Sequence, residues 1–394
     1  MKILSLNAGS STLKFKLYNM PEEESIFAGT FERIGSEKSF YTIKFLDKKE
    51  EKQKLINNHS DAIKVLLDEI IENKILNSLE EIDAIGVRLV AHYDNKEAVI
   101  LNEDILNEIS TQEYAAPLHL ESGIKSAKGF MEMLPKINCV GCFDSGFHSS
   151  IDKSRYIYGV PYKWYEEYGV RKYGFHGLSY KYVCDKMKKD LNNEKPNLII
   201  CHLGQGASIC AVKDGKSFDT SMGFTTNSGV IMGTRSGDID YGIIKYISKL
   251  TNKSIEEIDN DLCKKSGIYG ISNELSSDYR DISKEIDKGN ELAKLAKEIF
   301  INSVVDYVSK YYINLKNVDA ICFTGGIGSN QPDIRKAIID KVSCLGIKLD
   351  DDLDDITRLG KEGIISTKDS KVPVYVIQTD EELVMARNTY DLVK

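Results

Sequence analysis

Several common functional signatures are missing from the 394 residues. No GxxxxGK(S/T) occurs, so a P-loop is excluded. No apolar run approaches the roughly 20 residues of a membrane span. Cys139 and Cys142 form a CxxC in the apolar stretch 137–143, but no second pair stands at similar spacing, so a zinc centre lacks half its ligands. All eight cysteines therefore read as buried thiols of a reducing compartment. Excess positive charge is absent too: 52 Lys and Arg stand against 60 Asp and Glu, a net charge of -8. That argues against a nucleic-acid partner, and an anionic ligand would need a local cationic pocket. Long linkers and low-complexity segments are lacking. Met1 to Asn7 reads as a strand rather than a signal peptide, so the cytoplasm is the expected compartment. The length suffices for two or three domains.

What is present is a strand, loop and helix alternation that favours α/β architecture. Ile3–Leu6 and Lys14–Tyr18 flank the polar turn Asn7-Ala8-Gly9-Ser10-Ser11-Thr12, and the pattern predicts a hairpin. The unit recurs: Leu198–Cys201 and Ile209–Val212 flank a glycine turn running from His202 to Ser208. One such unit per half suggests a duplicated α/β fold with a ligand between the halves. Ser60 is placed to cap a helix running to about Ile75. A long helix is expected from Asn290 to about Leu315, with Leu292, Leu295, Ile299 and Val304 on its apolar stripe. Ala320–Phe323 reads as a strand, Gly325–Gly328 as a turn, and Ser329-Asn330 as the lead-in to a helix with Pro332 in its first turn. Thr379 and Glu382 make a capping box for the last helix. The charge run 47–54 reads as a solvated loop or hairpin end.

The segment from Asp219-Thr220-Ser221-Met222-Gly223-Phe224 to Met232-Gly233-Thr234-Arg235-Ser236-Gly237-Asp238 sets one arginine among small residues. Small residues let a backbone approach phosphate, and a lone guanidinium there can offset charge that grows in phosphoryl transfer. The turns at 7–12, 202–206 and 325–330 are candidate phosphate cradles; a polar hairpin tip is the other reading of the first two. Arg88 ends an apolar strand, where arginine either pairs structurally or clamps a carboxylate. Asp144 ends another, the usual crevice position in α/β sheets. His119 and His176 sit beside proline or glycine in short turns, and each could be structural. Glu381 is not needed for the cap and could hold magnesium.

Taken together, Asn7 to Lys14, Ala116 to His119, Phe143 to His148, Arg171 to Gly177, His202 to Gly206, Asp219 to Phe224, Met232 to Gly237, Phe323 to Gly328 and Thr379 to Glu382 resemble the acetate kinase family, in the family's order and from end to end. The resemblance implies a duplicated actin-like, sugar-kinase-like (ribonuclease H-like) α/β fold, with two domains around a central cleft. One would be 1–147 plus 380–394 on the acceptor side, and the other 148–379 for nucleotide and dimerisation. It implies a homodimer with no nucleic-acid or membrane partner, and reversible, in-line transfer of the ATP γ-phosphate to acetate, giving acetyl phosphate and ADP. It also implies roles. Asn7 and Glu381 would bind Mg2+, with Mn2+ as an alternative. Asp144, His176, Arg235 and His119 would form the catalytic set. Arg88 would hold the carboxylate, with Val90, Leu118, Phe175 and Thr226 around the acyl group. Lys14, His202, Leu203, Gly204, Gln205 and Gly206 would meet the phosphates. Asp278, Tyr279, Arg280, Gly326, Ile327, Gly328, Ser329 and Asn330 would meet the adenosine.

Four stretches depart from the family pattern. Val87-Arg88-Leu89-Val90-Ala91-His92-Tyr93 keeps the arginine but not the flanking histidine or the two glycines. Gln205 replaces asparagine, Thr226 replaces a proline of the acyl wall, and Ser329 replaces glutamate. The changes fall near the acyl group and the loops rather than on the charged set. A preference for propionate or another short, even hydroxylated, acid is therefore the alternative expectation.

Overall fold

The computed structural model describes residues 1–90, 96–111 and 117–394, with backbone only for 117–120. Two units emerge: Met1–Ser149 with Gly177–Tyr182 and Asp380–Lys394, and Ser150–His176 with Val183–Thr379.

The first unit is built on β1 (Lys2–Ala8), β2 (Thr12–Asn19), β3 (Glu24–Glu32), β4 (Phe40–Phe45), β5 (Lys48–Gln53), β6 (Ala84–Leu89), β7 (Ala98–Ile100) and β8 (Asn138–Phe143). Their order across the sheet is β5-β4-β3-β2-β1-β6-β8-β7. The strands from β1 to β5 form an antiparallel meander, β1, β6 and β8 run parallel, and β7 returns antiparallel. Alternation then decides which side chains face which layer. Leu4 and Leu6 of β1, with Ile85, Val87 and Leu89 of β6, join a core containing Ala62, Ile63 and Leu66 of the helix His59–Glu72. The opposite face meets the C-terminal helix Glu381–Val393, whose Val384 and Met385 pack with Val140 and Cys142. Gly86 permits that approach, since a Cβ there would fall 2.5 Å from Thr389 Oγ1.

The second unit repeats the plan with β9 (Leu198–Leu203), β10 (Ala207–Lys213), β11 (Lys216–Thr220), β12 (Ala320–Thr324), β13 (Gly363–Ile364) and β14 (Val374–Val376), ordered β11-β10-β9-β12-β14-β13. Again three antiparallel strands lead, two parallel strands follow beside the first, and an antiparallel edge closes the sheet. The duplicated α/β expectation is met by this shared 3-2-1-4-5 core. No helix among the described residues is long and apolar enough to cross a membrane.

Local expectations differ at several points. Asn58, not Ser60, caps the first helix, accepting from the Asp61 N–H at 2.9 Å; the helix begins a residue before Ser60 and ends at Glu72. Residues 325–330 form a short helix instead of a turn. Asp380 replaces Thr379 as the last N-cap, because its carboxylate reaches the Leu383 N–H at 3.0 Å. In the helix Glu291–Leu315 the buried stripe is Ala293, Ala296, Phe300 and Val304, while Leu292 and Leu295 are exposed. Two stripes compete there, and the alanines allow the closer approach to the sheet. His202 and Leu203 end a strand, so the second turn is only Gly204–Gly206. The charge run is the edge strand β5, whose lysines and glutamates discourage sheet-to-sheet pairing. Cys139 and Cys142 are free, buried and packed in different clusters, with burial pushing both thiols up to about 12. Cys344, expected inside, is exposed, and Cys263 is half-buried.

Arg335 is the fully buried cation of the second unit. Its Nε donates to Asp354 Oδ1 at 2.6 Å, Nη1 to the Gly328 carbonyl at 3.0 Å, and Nη2 to the Asp354 and Thr357 carbonyls at 2.8 and 3.1 Å. Arg335→Met would leave Asp354 buried without its countercharge. A loss of about 3–5 kcal/mol is expected in urea titrations; an unchanged midpoint would show that the pair does not support the fold.

Candidate active site

In the first unit, the C-terminal ends of the parallel strands bring three sequence-flagged residues onto one face. Asn7 follows Ile3 and Ser5 in alternation, Arg88 follows Gly86, and Asp144 follows Cys142, all on the side of the C-terminal helix. Arg88 Nη2 donates to Asp144 Oδ2 at 2.8 Å, and Nη1 donates to Asn7 Oδ1 at 3.0 Å. Asn7 Nδ2 reaches Glu381 Oε2 at 3.0 Å, and Glu381 lies 4.0 Å from Arg88 Nη1. Burial opposes the Arg88 charge, but the Asp144 and Glu381 carboxylates outweigh it and hold the guanidinium protonated above its ordinary range. Arg88 Nε is buried and has no hydrogen-bond partner among the described residues. Asp144 is itself fastened, because its carbonyl accepts from the Gly177 N–H at 2.7 Å. A Cβ at Gly177 would fall 2.3 Å from that oxygen.

Lys14 is opposite Asn7 in the β1–β2 register and is exposed. Val90 is buried at the end of β6. Leu118 and His119 lie in the helix Pro117–Met133, but their side chains fall outside the described residues, as do Ala91 to Tyr93. Among the described residues no group of three His, Cys, Asp or Glu could hold a metal. Asn7 and Glu381 each carry a hard side-chain oxygen, Oδ1 of Asn7 accepting here from Arg88 and Oε2 of Glu381 from Asn7. Two protein donors suit Mg2+, which keeps several waters and takes further oxygens from phosphates, so the residues fit that ion.

In the second unit, His176 caps the helix Gly177–Asp190 with φ 60° and ψ 22°, a backbone state uncommon outside glycine. Its Nδ1 pairs with Ser208 Oγ at 2.8 Å, and its ring stacks on His202 with centroids 4.2 Å apart. The other ring nitrogen faces the glycine turn. A Cβ added at Gly206 would lie 3.3 Å from His176 Nε2 and 3.5 Å from Arg235 Nη1. Arg235 also donates to the Thr226 carbonyl at 3.3 Å, so Thr226 presents its backbone to the guanidinium. The loop before His176 is anchored on the Asp219–Phe224 segment: the Tyr173 and Gly174 N–H groups donate to the Gly223 carbonyl, and buried Asp219 takes Lys172 and Arg155. Phe175 is buried. Lys172, Asp219 and Ser208 were not singled out from the sequence as site residues. Lys172 and Asp219 lie in recognised motifs and Ser208 just beyond one, but their polar pairings are long-range.

A cavity of about 600 Å³ lies beside the Gly204–Gly206 turn. Gly204, Gln205, Asp278, Tyr279, Arg280, Gly326, Ile327 and Asn330, which the resemblance assigned to the nucleotide, all border it, and so do Arg358 and Leu359, which no motif marked. Tyr279 has its hydroxyl on Asp333 at 2.5 Å, and Arg280 pairs with Asp278, the cap of its own helix. Gly328 and Ser329 are buried behind the wall and do not line the cavity.

Comparison with known proteins adds an independent observation. A model described as the acetokinase family matches residues 2–387. A protein of Phytoplasma australiense named acetate kinase is 46% identical over 395 residues, covering 100% of this chain and 99% of its own. A crystal structure of a propionate kinase from Francisella tularensis superposes with a TM-score of 0.92 at 40% identity, covering 99% of each chain. The structure of an acetate kinase from Porphyromonas gingivalis gives a TM-score of 0.90 at 36% identity, covering 100% of each.

Two outcomes follow from this geometry. Ser208→Ala removes the partner of His176 Nδ1, and 15N NMR of the ring should show a changed tautomer balance; an unchanged spectrum would mean that other contacts fix the imidazole. Separately, burial and then the Glu381 charge push the Glu382 carboxyl above its ordinary range, with Lys16 opposing. The folded chain therefore holds that proton more tightly than the unfolded chain. Stability falls as pH rises from the unfolded carboxylate range through the raised folded value. Glu382→Gln should gain stability relative to the parent across that window in denaturant titrations between about pH 4 and 8; a pH-independent gap would contradict the assignment.

Proposed function

The chain belongs to the acetokinase family, and from that membership we propose the division of labour by which it phosphorylates acetate. The enzyme is a phosphotransferase with a carboxylate acceptor, moving the ATP γ-phosphate to acetate and giving acetyl phosphate and ADP. The observation that carries the assignment of roles is Arg88. Its charge is compensated by Asp144, its two terminal nitrogens are engaged, and its Nε is buried without a partner among the described residues. A carboxylate acceptor is the chemistry that a guanidinium recognises in bidentate fashion.

We assign acceptor binding to the unit containing β1, β6 and β8, and nucleotide binding to the unit containing the cavity beside Gly204 and Gly326. Acetate is already a nucleophile, so no base has to take a proton from it. Asp144 instead orients Arg88 and keeps it charged. His176 and Arg235, both directed at the Gly206 turn, spread the charge of the migrating phosphoryl group. Asn7 and Glu381 would hold Mg2+, which would neutralise phosphate oxygens when bound. Lys14 adds a further cation near the phosphates. Val90, Leu118, Phe175 and Thr226 are the residues we assign to the acyl group from the family resemblance, with His119 in the catalytic set. The reaction is read as cytoplasmic, where ATP is supplied. A homodimer is favoured by the helix Gly242–Thr251, which buries none of its residues and leaves Ile243, Tyr246 and Leu250 exposed beside Tyr241.

Propionate as best acceptor is supported by one observation, the propionate kinase among the similar structures. One methylene is worth only about 10- to 200-fold, so overlapping use is expected.

Hydroxamate trapping over formate, acetate, propionate, butyrate, lactate and glycolate tests the acceptor. Acetate should give the highest kcat/KM; a clear maximum at another acid would replace it, and no acyl phosphate from any would end the reading. Arg88→Ala should lower kcat/KM for acetate by about 10²- to 10³-fold, and Arg88→Lys should not restore it because lysine lacks the Nε edge. Light scattering of Tyr246→Glu with Leu250→Glu should report half the parent mass if that helix forms the dimer; an unchanged mass would exclude it.

A further inference from the structure

We propose that Leu359 is the apolar wall on which the nucleobase of the donor rests, and that the Arg358–Leu359 turn sets nucleotide affinity. This rests on the reading above that the donor occupies the cavity beside Gly204 and Gly326.

Among the residues lining that cavity, Ile327 and Leu359 carry the only aliphatic side chains. Ile327 is half-buried, whereas Leu359 is 86% exposed. Leu359 also has φ 55°, followed by Gly360 at 89°. A branched side chain in the left-handed region is strained, and such strain persists only where surrounding contacts over-determine it. Those contacts are visible. The Leu359 N–H donates to Asn330 Oδ1 at 2.9 Å, and Asn330 Nδ2 donates to the Gly326 carbonyl at 3.0 Å. Two residues earlier, the Thr357 carbonyl accepts from Arg335, which also holds the Gly328 carbonyl. The turn is thus tied twice to the short helix Gly325–Asn330, on either side of the cavity's glycine wall.

The result is a leucine fixed in a costly backbone state with its side chain in water. The hydrogen bond to Asn330 fixes the backbone of the turn, whereas the exposed side chain contributes no burial to the fold. A flat, apolar ligand surface entering the cavity does gain from it. A nucleobase has such a surface; the triphosphate does not. Preorganisation of the wall means that binding does not have to order it.

The experiment uses the full-length protein with Leu359→Gly and Leu359→Ser. Measured are kcat, KM for ATP and for acetate, ADP affinity by calorimetry, and competition by inorganic tripolyphosphate, which has phosphates but no base. Expected are a rise of about tenfold in KM for ATP and in the ADP dissociation constant, with kcat, KM for acetate and tripolyphosphate competition within about twofold. Leu359→Phe should retain parental ADP affinity. Unaltered ADP affinity in both truncations overturns the proposal. So does equal weakening of ADP and tripolyphosphate, which would place the effect on the phosphate turn. If Leu359→Gly does not fold, Leu359→Ser and Leu359→Phe decide on the same terms. A parent protein that forms no acyl phosphate refutes the proposed function; an active parent with insensitive variants refutes only this inference.

Discussion

A guanidinium held at the end of a buried strand has to be matched by negative charge, and much of the first unit is arranged around that demand. Arg88 sits on the middle one of three parallel strands. Asp144 comes from the strand on one side, Asn7 from the strand on the other, and Glu381 from the helix laid across them. Removing any one partner would leave a charge or a polar atom in a dry environment, which costs more than the contact contributes. The C-terminal helix must lie where it does for Glu381 to arrive, and Gly86 is what lets it lie so close. One compensated cation therefore links strand register and helix approach.

The second unit solves a different problem with the same topology. Its sheet carries no equivalent arginine at the strand ends; it offers glycine turns. Gly204 and Gly206 leave space at the end of β9, and His176 and Arg235 are directed into that space from separate segments. His176 is held in a strained state by Ser208 and by stacking on His202, so the imidazole is preorganised rather than recruited. Such a duplication supplies one frame twice, and the residues placed on each frame give it a different chemistry.

Much of this was legible along the chain. Hairpins, strand ends and the residues at those ends follow from alternation and glycine punctuation, which are local properties. The family motifs carried Asp144, His176, Arg235 and Glu381 without any coordinates, and Arg88 was recognised in a stretch that otherwise departs from the family pattern. Local reading failed where two options were close in energy. Asn58 and Ser60 are both good caps; Asp380 and Thr379 compete for one N-terminus; two stripes on the helix Glu291–Leu315 are both apolar enough. The two caps were decided by which side-chain oxygen reaches a free N–H, Asn58 to Asp61 and Asp380 to Leu383, and the stripe by packing, which is not a property of a short window. Arg358 and Leu359 were missed because neither belongs to a motif, and they reach the cavity only through Asn330 and Arg335.

The sequence by itself determined the duplicated strand pattern, which follows from periods of two and 3.6, while the class of chemistry was legible only through the resemblance of its motifs to a known family. The tertiary structure alone decided which nitrogens of Arg88 are occupied, that Ser208 grips His176, and that a leucine stands in solvent at the rim of a cavity. Those facts are distances between residues far apart in the chain, fixed by the register of sheets and the approach of helices, and no local pattern encodes them.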